Sequence, residues 1–142
     1  MAEELAATNG FNAFSLTLLR DRLLPEILQE DQNEITYWAG KSLARGIELH
    51  GIADIIRFFF DAGFGTLSIE AQNETEQTWH LTGEIIDMRL YENEQASFDL
   101  EAGFLAAQTQ AQINYGAEAV WKLAKNKVII TVYTEVPATL PN

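Results

Sequence analysis

The sequence predicts an α+β domain, with helices packed on one face of an antiparallel four-stranded sheet as two helix–strand–strand units behind N-terminal helices. Three observations lead there. A densely apolar helical segment ending in FFFDAGFGTL (58–67) runs into alternating strand residues. A second helical segment, LEAGFLAAQTQ (100–110), is again followed by two strand-like runs. The 142 residues fit one domain and suffice to bury roughly two thirds of the unfolded surface. The expected organisation is a disordered lead over 1–10, one α+β domain over 11–136 and a tail over 137–142.

From Phe11 to Gln29 the pattern is helical. At ~100° per residue, Leu16, Leu19, Leu23 and Ile27 form one apolar seam. Phe11, Phe14, Leu18 and Leu28 form a second on the other side, and Arg20 lies beyond one edge of the first. A helix apolar on two sides is buried twice, inside a larger fold or between a fold and a partner. Phe14 and Leu18 are therefore candidates for a dimer interface. Pro25 lacks a backbone donor and clashes with the preceding turn, which predicts a kink or break.

Asp31 followed by Glu34 has the form of a capping box. The helix it opens, ITYWAGKSLARG, carries Ile35, Trp38, Ala39, Ser42 and Leu43 on one face and Tyr37, Lys41 and Arg45 on another. Gly46 is its expected stop. The next helix is predicted over 52–62. Ile52, Ile55, Ile56, Phe59 and Phe60, extended by Phe58, cover an arc of roughly 200°, about twice the usual stripe. Only Asp54, Arg57 and Asp61 are left for water, so the segment reads as wedged between two layers. Gly63 supplies the left-handed residue that ends it, and Gly65 turns the chain into a strand.

In TLSIEA, Leu67, Ile69 and Ala71 alternate inward; after a polar turn, Trp79 and Leu81 point in and His80 out, which makes a hairpin. EIIDMRLYENEQASF is ambiguous and reads as a short edge segment followed by a mobile loop. Asp99 is expected to cap a helix from Leu100 to about Tyr115, ended by Gly116. Its stripe of Gly103, Ala107 and Ala111 is small enough for a neighbour to come close, or to leave a groove. Ala119, Trp121 and Leu123 alternate on the next strand. KVIITVYTE is apolar on both faces and is expected at the sheet centre.

YWAGKSLARG, FFFDAGFGTL and LEAGFLAAQTQ together resemble the YslB-like family of low-GC Gram-positive bacteria. More distantly they resemble the superfamily of 4-vinyl-reductase-type ligand-binding domains and small subunits of the TRAPP vesicle-tethering complex. The resemblance covers roughly residues 33 to 135, with Tyr37, Trp38, Gly40, Arg45, Gly63, Gly65, Glu101, Gly103 and Phe104 at the signature positions. It implies the fold read above, dimerisation through helices, and in some members an apolar channel holding a lipid-like or aromatic ligand. The chain has no cysteine, so thiolate metal binding and covalent acylation do not carry over. Nor does it carry the Tyr-x-Ser-x-Arg element of haem-binding relatives.

Composition narrows the function further. Hydrophobic residues make up 47% and charged residues 21%, a globular balance. A formal charge of −12 argues against nucleic acid and anionic membrane surfaces. No signal peptide is visible, and no apolar run reaches the ~18 residues of a membrane span, so the cytoplasm is the expected location. His50 could meet Glu48, and His80 could meet Ser68 and Glu70, but neither shows the converging partners that a general base or metal site requires. No nucleophile elbow, phosphate loop or dinucleotide fingerprint is present. Glu101, in the first turn of its helix, either serves the helix dipole or pairs with Arg45 or Arg89.

Phe58 to Phe60 read as core, or as the wall of a ligand channel. The expectation is a non-enzymatic, cytoplasmic homodimeric binding module with no catalytic residues, metal or cofactor. A small apolar ligand would sit among Trp38, Phe59, Phe104 and Ala107. The alternatives are a protein–protein adaptor without a ligand, or an enzyme using the same cavity.

Overall fold

The computed structural model describes residues 12–142. The expected lead and the seam residue Phe11 lie outside the described residues. Helix α1 (Ala13–Leu18), a π-helical segment (Leu19–Leu23) and α2 (Leu24–Leu28) form one helical path. Asn12 caps it, its side-chain oxygen accepting from the Phe14 and Ser15 amides at 3.0 and 3.4 Å. Pro25 does not break this path, which stays helical through Leu28. The turn ahead of it widens, with the Leu24 N–H donating to the Leu19 carbonyl five residues back, and the wider winding accommodates the proline ring. The helical path ends only at Gln29, whose φ is 50°.

This helix lies against the domain on a face the seam analysis did not select. Ala13, Thr17 and Asp21 are buried, while Leu19, Leu23 and Ile27 of the first seam and Phe14 and Leu18 of the second are exposed. The reason is electrostatic: Asp21 is satisfied inside the protein, as described below. After a 3₁₀ turn (Gln29–Asp31), α3 (Gln32–Arg45) repeats the inversion. Ile35, Trp38 and Leu43 are exposed, and Thr36, Gly40, Lys41 and Ala44 are buried. Asp31 stands at the N-cap position but makes no capping hydrogen bond, and Gly46 ends the helix with φ of −91°, which any residue can adopt.

α4 (Gly51–Asp61) matches its predicted position. Gly63, with φ of 74°, closes a Schellman motif. Its N–H donates to the Phe60 carbonyl at 3.1 Å, and the Phe64 N–H donates to the Phe59 carbonyl at 2.9 Å. The motif folds the Phe64 ring edge-on against Phe59, with centroids 5.2 Å apart. The arc is narrower than predicted: Ile52, Ile55 and Phe59 are buried, Phe58 is half-buried and Phe60 is 47% exposed.

Strands β1 (Thr66–Asn73), β2 (Glu76–Thr82), β3 (Ala117–Ala124) and β4 (Lys127–Thr134) form one antiparallel sheet in the order β1-β2-β4-β3. Leu67, Trp79, Leu81, Val128, Ile130 and Val132 face the helices and are buried. β4 is central, as its double-sided apolar pattern requires. The β1–β2 register shifts between Ile69 and Ala71, so Gln72 rather than Ala71 shares the inner row with Gln77. Alternation alone cannot show such a bulge. Leu123 joins the inner row opposite Val128 but stays 44% exposed at the sheet edge.

The segment read as an edge and mobile loop contains a helix, α5 (Glu84–Glu92), burying Ile85, Ile86 and Arg89. α6 (Asp99–Ile113) begins after Phe98; Asp99 does not cap it, but its carboxylate accepts from Ser97 Oγ at 2.9 Å. Asn114, left-handed at φ 65°, ends it two residues before Gly116. The region after β4 is packed: Leu140 is buried, and the Ile52 N–H donates to the Pro141 carbonyl at 2.8 Å.

α3 and α6 make the most extensive contact between helices. A Cβ on Gly40 would fall onto the Leu100 carbonyl oxygen and lie 3.0 Å from the Phe104 nitrogen. One on Gly103 would fall onto the Tyr37 carbonyl oxygen and lie 3.3 Å from the Lys41 nitrogen. The two backbones therefore touch reciprocally, which only glycine allows. Gly40→Ala or Gly103→Ala should destabilise the fold by about 1–3 kcal/mol in chemical denaturation, the usual cost of overpacking. Gly46→Ala, whose nearest neighbour is 3.7 Å away, should change stability by less than about 0.5 kcal/mol.

Candidate functional site

Two features lie between the N-terminal helices and the sheet. The first is an aromatic cluster. Phe58 stacks on Phe104 with centroids 4.7 Å apart and planes 4° from parallel. Phe59 and Phe64 meet Phe104 edge-on at 5.8 and 6.4 Å. Phe104 reaches this cluster from α6, one residue past the glycine crossing, and the Schellman turn delivers Phe64. Of the residues predicted to share a pocket, the structure brings Phe59 and Phe104 together, both fully buried. Ala107 lines a neighbouring groove with Ala44, Gly46, Ile47 and Ala111. Trp38 does not join them. Once Gly40 faces α6, Trp38 is turned outward, 54% exposed, with the Lys41 ammonium 4.9 Å above its ring.

The second feature is a buried ion cluster. Arg89 of α5 donates from Nε to Asp21 Oδ2 at 2.9 Å and from Nη2 to Asp21 Oδ1 at 2.9 Å. It also reaches Glu101 Oε2 at 3.2 Å and the Ser97 carbonyl at 2.7 Å. Arg20 Nη2 donates to both oxygens of Glu101, at 2.8 and 3.0 Å. The Phe98 ring lies 4.3 Å beneath the Arg89 guanidinium. Two cations and two anions thus neutralise each other inside the protein. Burial opposes ionisation of Glu101, but the Arg20 and Arg89 charges outweigh it and hold its carboxyl below the ordinary range.

Of the two partners suggested for Glu101, Arg89 is the one observed; Arg45 is exposed. Arg20 and Asp21 were missed as partners, because a helical projection places charged residues in water by default. The run Arg20, Asp21 and Arg22, set between Leu19 and Leu23 of a leucine-rich helix, was the available signal.

A smaller polar contact ties α3 to β3. The Tyr37 hydroxyl donates to Glu118 Oε1 at 2.5 Å and accepts from the Ala119 N–H at 2.9 Å. Lys41 Nζ lies 2.6 Å from the same Glu118 oxygen. Burial, reinforced by the Glu118 bond, raises the Tyr37 pKa. The histidines are peripheral: His50 Nε2 is 3.7 Å from Glu48, and His80 Nδ1 is 3.8 Å from Glu70. Among the described residues, no group of three or more acidic or histidine side chains is placed to hold a metal, and no helix is long and apolar enough to cross a membrane.

This arrangement of helices over an antiparallel sheet is a fold that solved structures of other proteins share. A vinyl-4-reductase family protein from Methanocaldococcus jannaschii superposes with a TM-score of 0.52 at 18% identity, over 85% of this chain and 78% of that one. The phenol-responsive sensory domain of the transcription activator PoxR, solved with phenol, superposes with a TM-score of 0.59 at 11% identity, over 86% and 74%. The chain belongs to the family described as "Protein of unknown function (DUF2507)", matched over residues 13–133. It is 38% identical over 123 residues to the uncharacterized protein YslB of Bacillus subtilis (strain 168), covering 85% of this chain and 83% of that protein.

Removing one partner of a buried ion cluster leaves the others unpaired. Glu101→Gln should therefore cost about 3–5 kcal/mol of unfolding free energy. Because the folded-state pKa of Glu101 is depressed, its contribution is complete above the ordinary carboxyl value of 4.5 and is lost as pH falls through the lower folded value. Urea midpoints of the wild type should fall more steeply in acid than those of Glu101→Gln.

Proposed function

We propose that this protein is a non-enzymatic, cytoplasmic binding module that acts as a homodimer and holds a small apolar molecule between its helices and sheet. The observation that carries the reading is the four-ring cluster of Phe58, Phe59, Phe64 and Phe104. Rings from α4, its C-terminal turn and α6 converge on one place under the helices. Phe59, Phe64 and Phe104 are buried against one another, so a flat or chain-like guest would enter by parting the rings and stacking on the apolar faces they release. The likeness to a sensory domain solved with phenol supports the same reading. The dimer reading rests on the first helix, whose Phe14, Leu18, Leu19, Leu23 and Ile27 are exposed. Exposed apolar residues spread along one helix suit a self-complementary interface.

A second reading, a protein–protein adaptor without a ligand, is favoured by the outward Ile35, Trp38 and Leu43 of α3. The two separate experimentally. Native mass spectrometry and organic extraction of purified protein should release a co-purifying apolar molecule; its repeated absence sinks the ligand part. Light scattering should give twice the chain mass for the wild type and the single-chain mass for Leu18→Asp, with unchanged circular dichroism. A monomeric wild type rules out self-association and leaves the adaptor reading.

A further inference from the structure

The segment 138–142 holds a core position by few bonds. Leu140 is 3% exposed, and its backbone is gripped by a single side chain. Gln72 Oε1 accepts from the Leu140 N–H at 2.8 Å, and Gln72 Nε2 donates to the Leu140 carbonyl at 3.2 Å. Beyond these, the Ala138 N–H reaches the Glu74 carbonyl at 3.3 Å, and the Pro141 carbonyl accepts from Ile52. The bulge in β1 makes the grip possible, because it turns Gln72 to the inner face. Pro141 also forms part of the wall of an open depression of about 410 Å³, lined by His50, Gly51, Gln108 and Gln112.

Directly across the strands from Gln72 is Gln77, 1% exposed. Its Oε1 accepts from the Trp79 indole at 2.9 Å and from Thr109 Oγ1 at 3.4 Å. An indole nitrogen only donates, so this bond fixes which end of the amide is oxygen. The amide nitrogen then has no acceptor among the described residues. A buried donor without a partner is uncommon in folded proteins. Trp79, Thr109 and the cross-strand Val132 are all neutral. An anion would lose its hydration at this end of the core with no cation in that set to compensate, so the matching group is an uncharged oxygen.

We propose that Leu140 is a built-in plug, and that its place is taken by a small uncharged molecule with an apolar body and one acceptor oxygen, a hydroxyl or carbonyl, which receives the Gln77 Nε2–H. The ligand enters from the Gly51–Gln112–Pro141 depression as the strap lifts. This rests on the binding-module reading and gives its ligand a polar end.

The test uses benzyl alcohol and its oxygen-free counterpart toluene, titrated into the full ¹⁵N-labelled chain and followed at the Gln77 side-chain amide. Leu140→Ala removes the plug. Gln72→Ala frees the strap while keeping the Leu140 side chain, should Leu140→Ala fold poorly. Benzyl alcohol should shift the Gln77 amide and bind the opened variant about tenfold more tightly than toluene, the worth of one neutral hydrogen bond. It should also bind that variant more tightly than the wild type. Adding Gln77→Leu, with binding followed at the backbone amides of residues 109 and 140, should abolish the preference. Equal binding of the two probes to the opened variant, or binding that leaves the Gln77 amide unmoved, overturns the inference while the binding-module reading stands. No binding of either probe to any form overturns both.

Discussion

The reciprocal contact of Gly40 with α6 and of Gly103 with α3 is the constraint on which the other features of the molecule depend. Two helices meeting backbone to backbone leave no room for side chains between them, so residues on either side of the crossing are set in direction as well as distance. Glu101, two residues before Gly103, is carried toward Arg20 and Arg89. Phe104, one residue after, is carried onto Phe58 and Phe59. On the other helix, Tyr37 is carried to β3 and Lys41 to Glu118. Five of the positions that carry the resemblance, Tyr37, Gly40, Glu101, Gly103 and Phe104, therefore form a coherent set: two glycines make the crossing, and their neighbours use it.

The ion cluster follows from the crossing and explains the attachment of the first helix. A leucine-rich helix ordinarily docks by its leucines. Here Asp21 and Arg20 reach inward to α5 and α6, and the leucines are left outside. A buried ion pair is a poor source of net stability, because desolvation offsets most of the attraction. Its value lies in specificity, since one rotation of the helix satisfies Asp21 and others leave it unpaired. That rotation displays the apolar seams, which ties the charges in the interior to the proposed dimer on the surface.

Much of the fold was legible in the sequence because its signals are local. The 3.6-residue and two-residue periods placed α4, α6 and the two hairpins, and Gly63 marked a turn whose closing contact is Phe59 against Phe64. α5 escaped because Arg89 interrupts its apolar stripe, and nothing local shows that a guanidinium there is neutralised by Asp21 from 68 residues away. The bulge at Glu70, which exchanges Ala71 for Gln72 on the inner face, leaves no trace in alternation. Of the proposed pocket residues, period marked Phe59 and Phe104 as core, and the two rings are buried against each other. Trp38 was misplaced because the projection of α3 assumes that the larger apolar face is buried, whereas the glycine face packs closer.

The central claim, that the crossing positions the ion cluster, is tested most directly by a double-mutant cycle between Gly103→Ala and Glu101→Gln in equilibrium unfolding. If an added methyl at residue 103 moves α6 off its seat, Glu101 is already displaced from Arg20 and Arg89, and the second substitution costs less than it does alone. The account predicts a combined loss smaller than the sum of the single losses by more than about 0.5 kcal/mol. Strict additivity would show the two features to be independent and would contradict it.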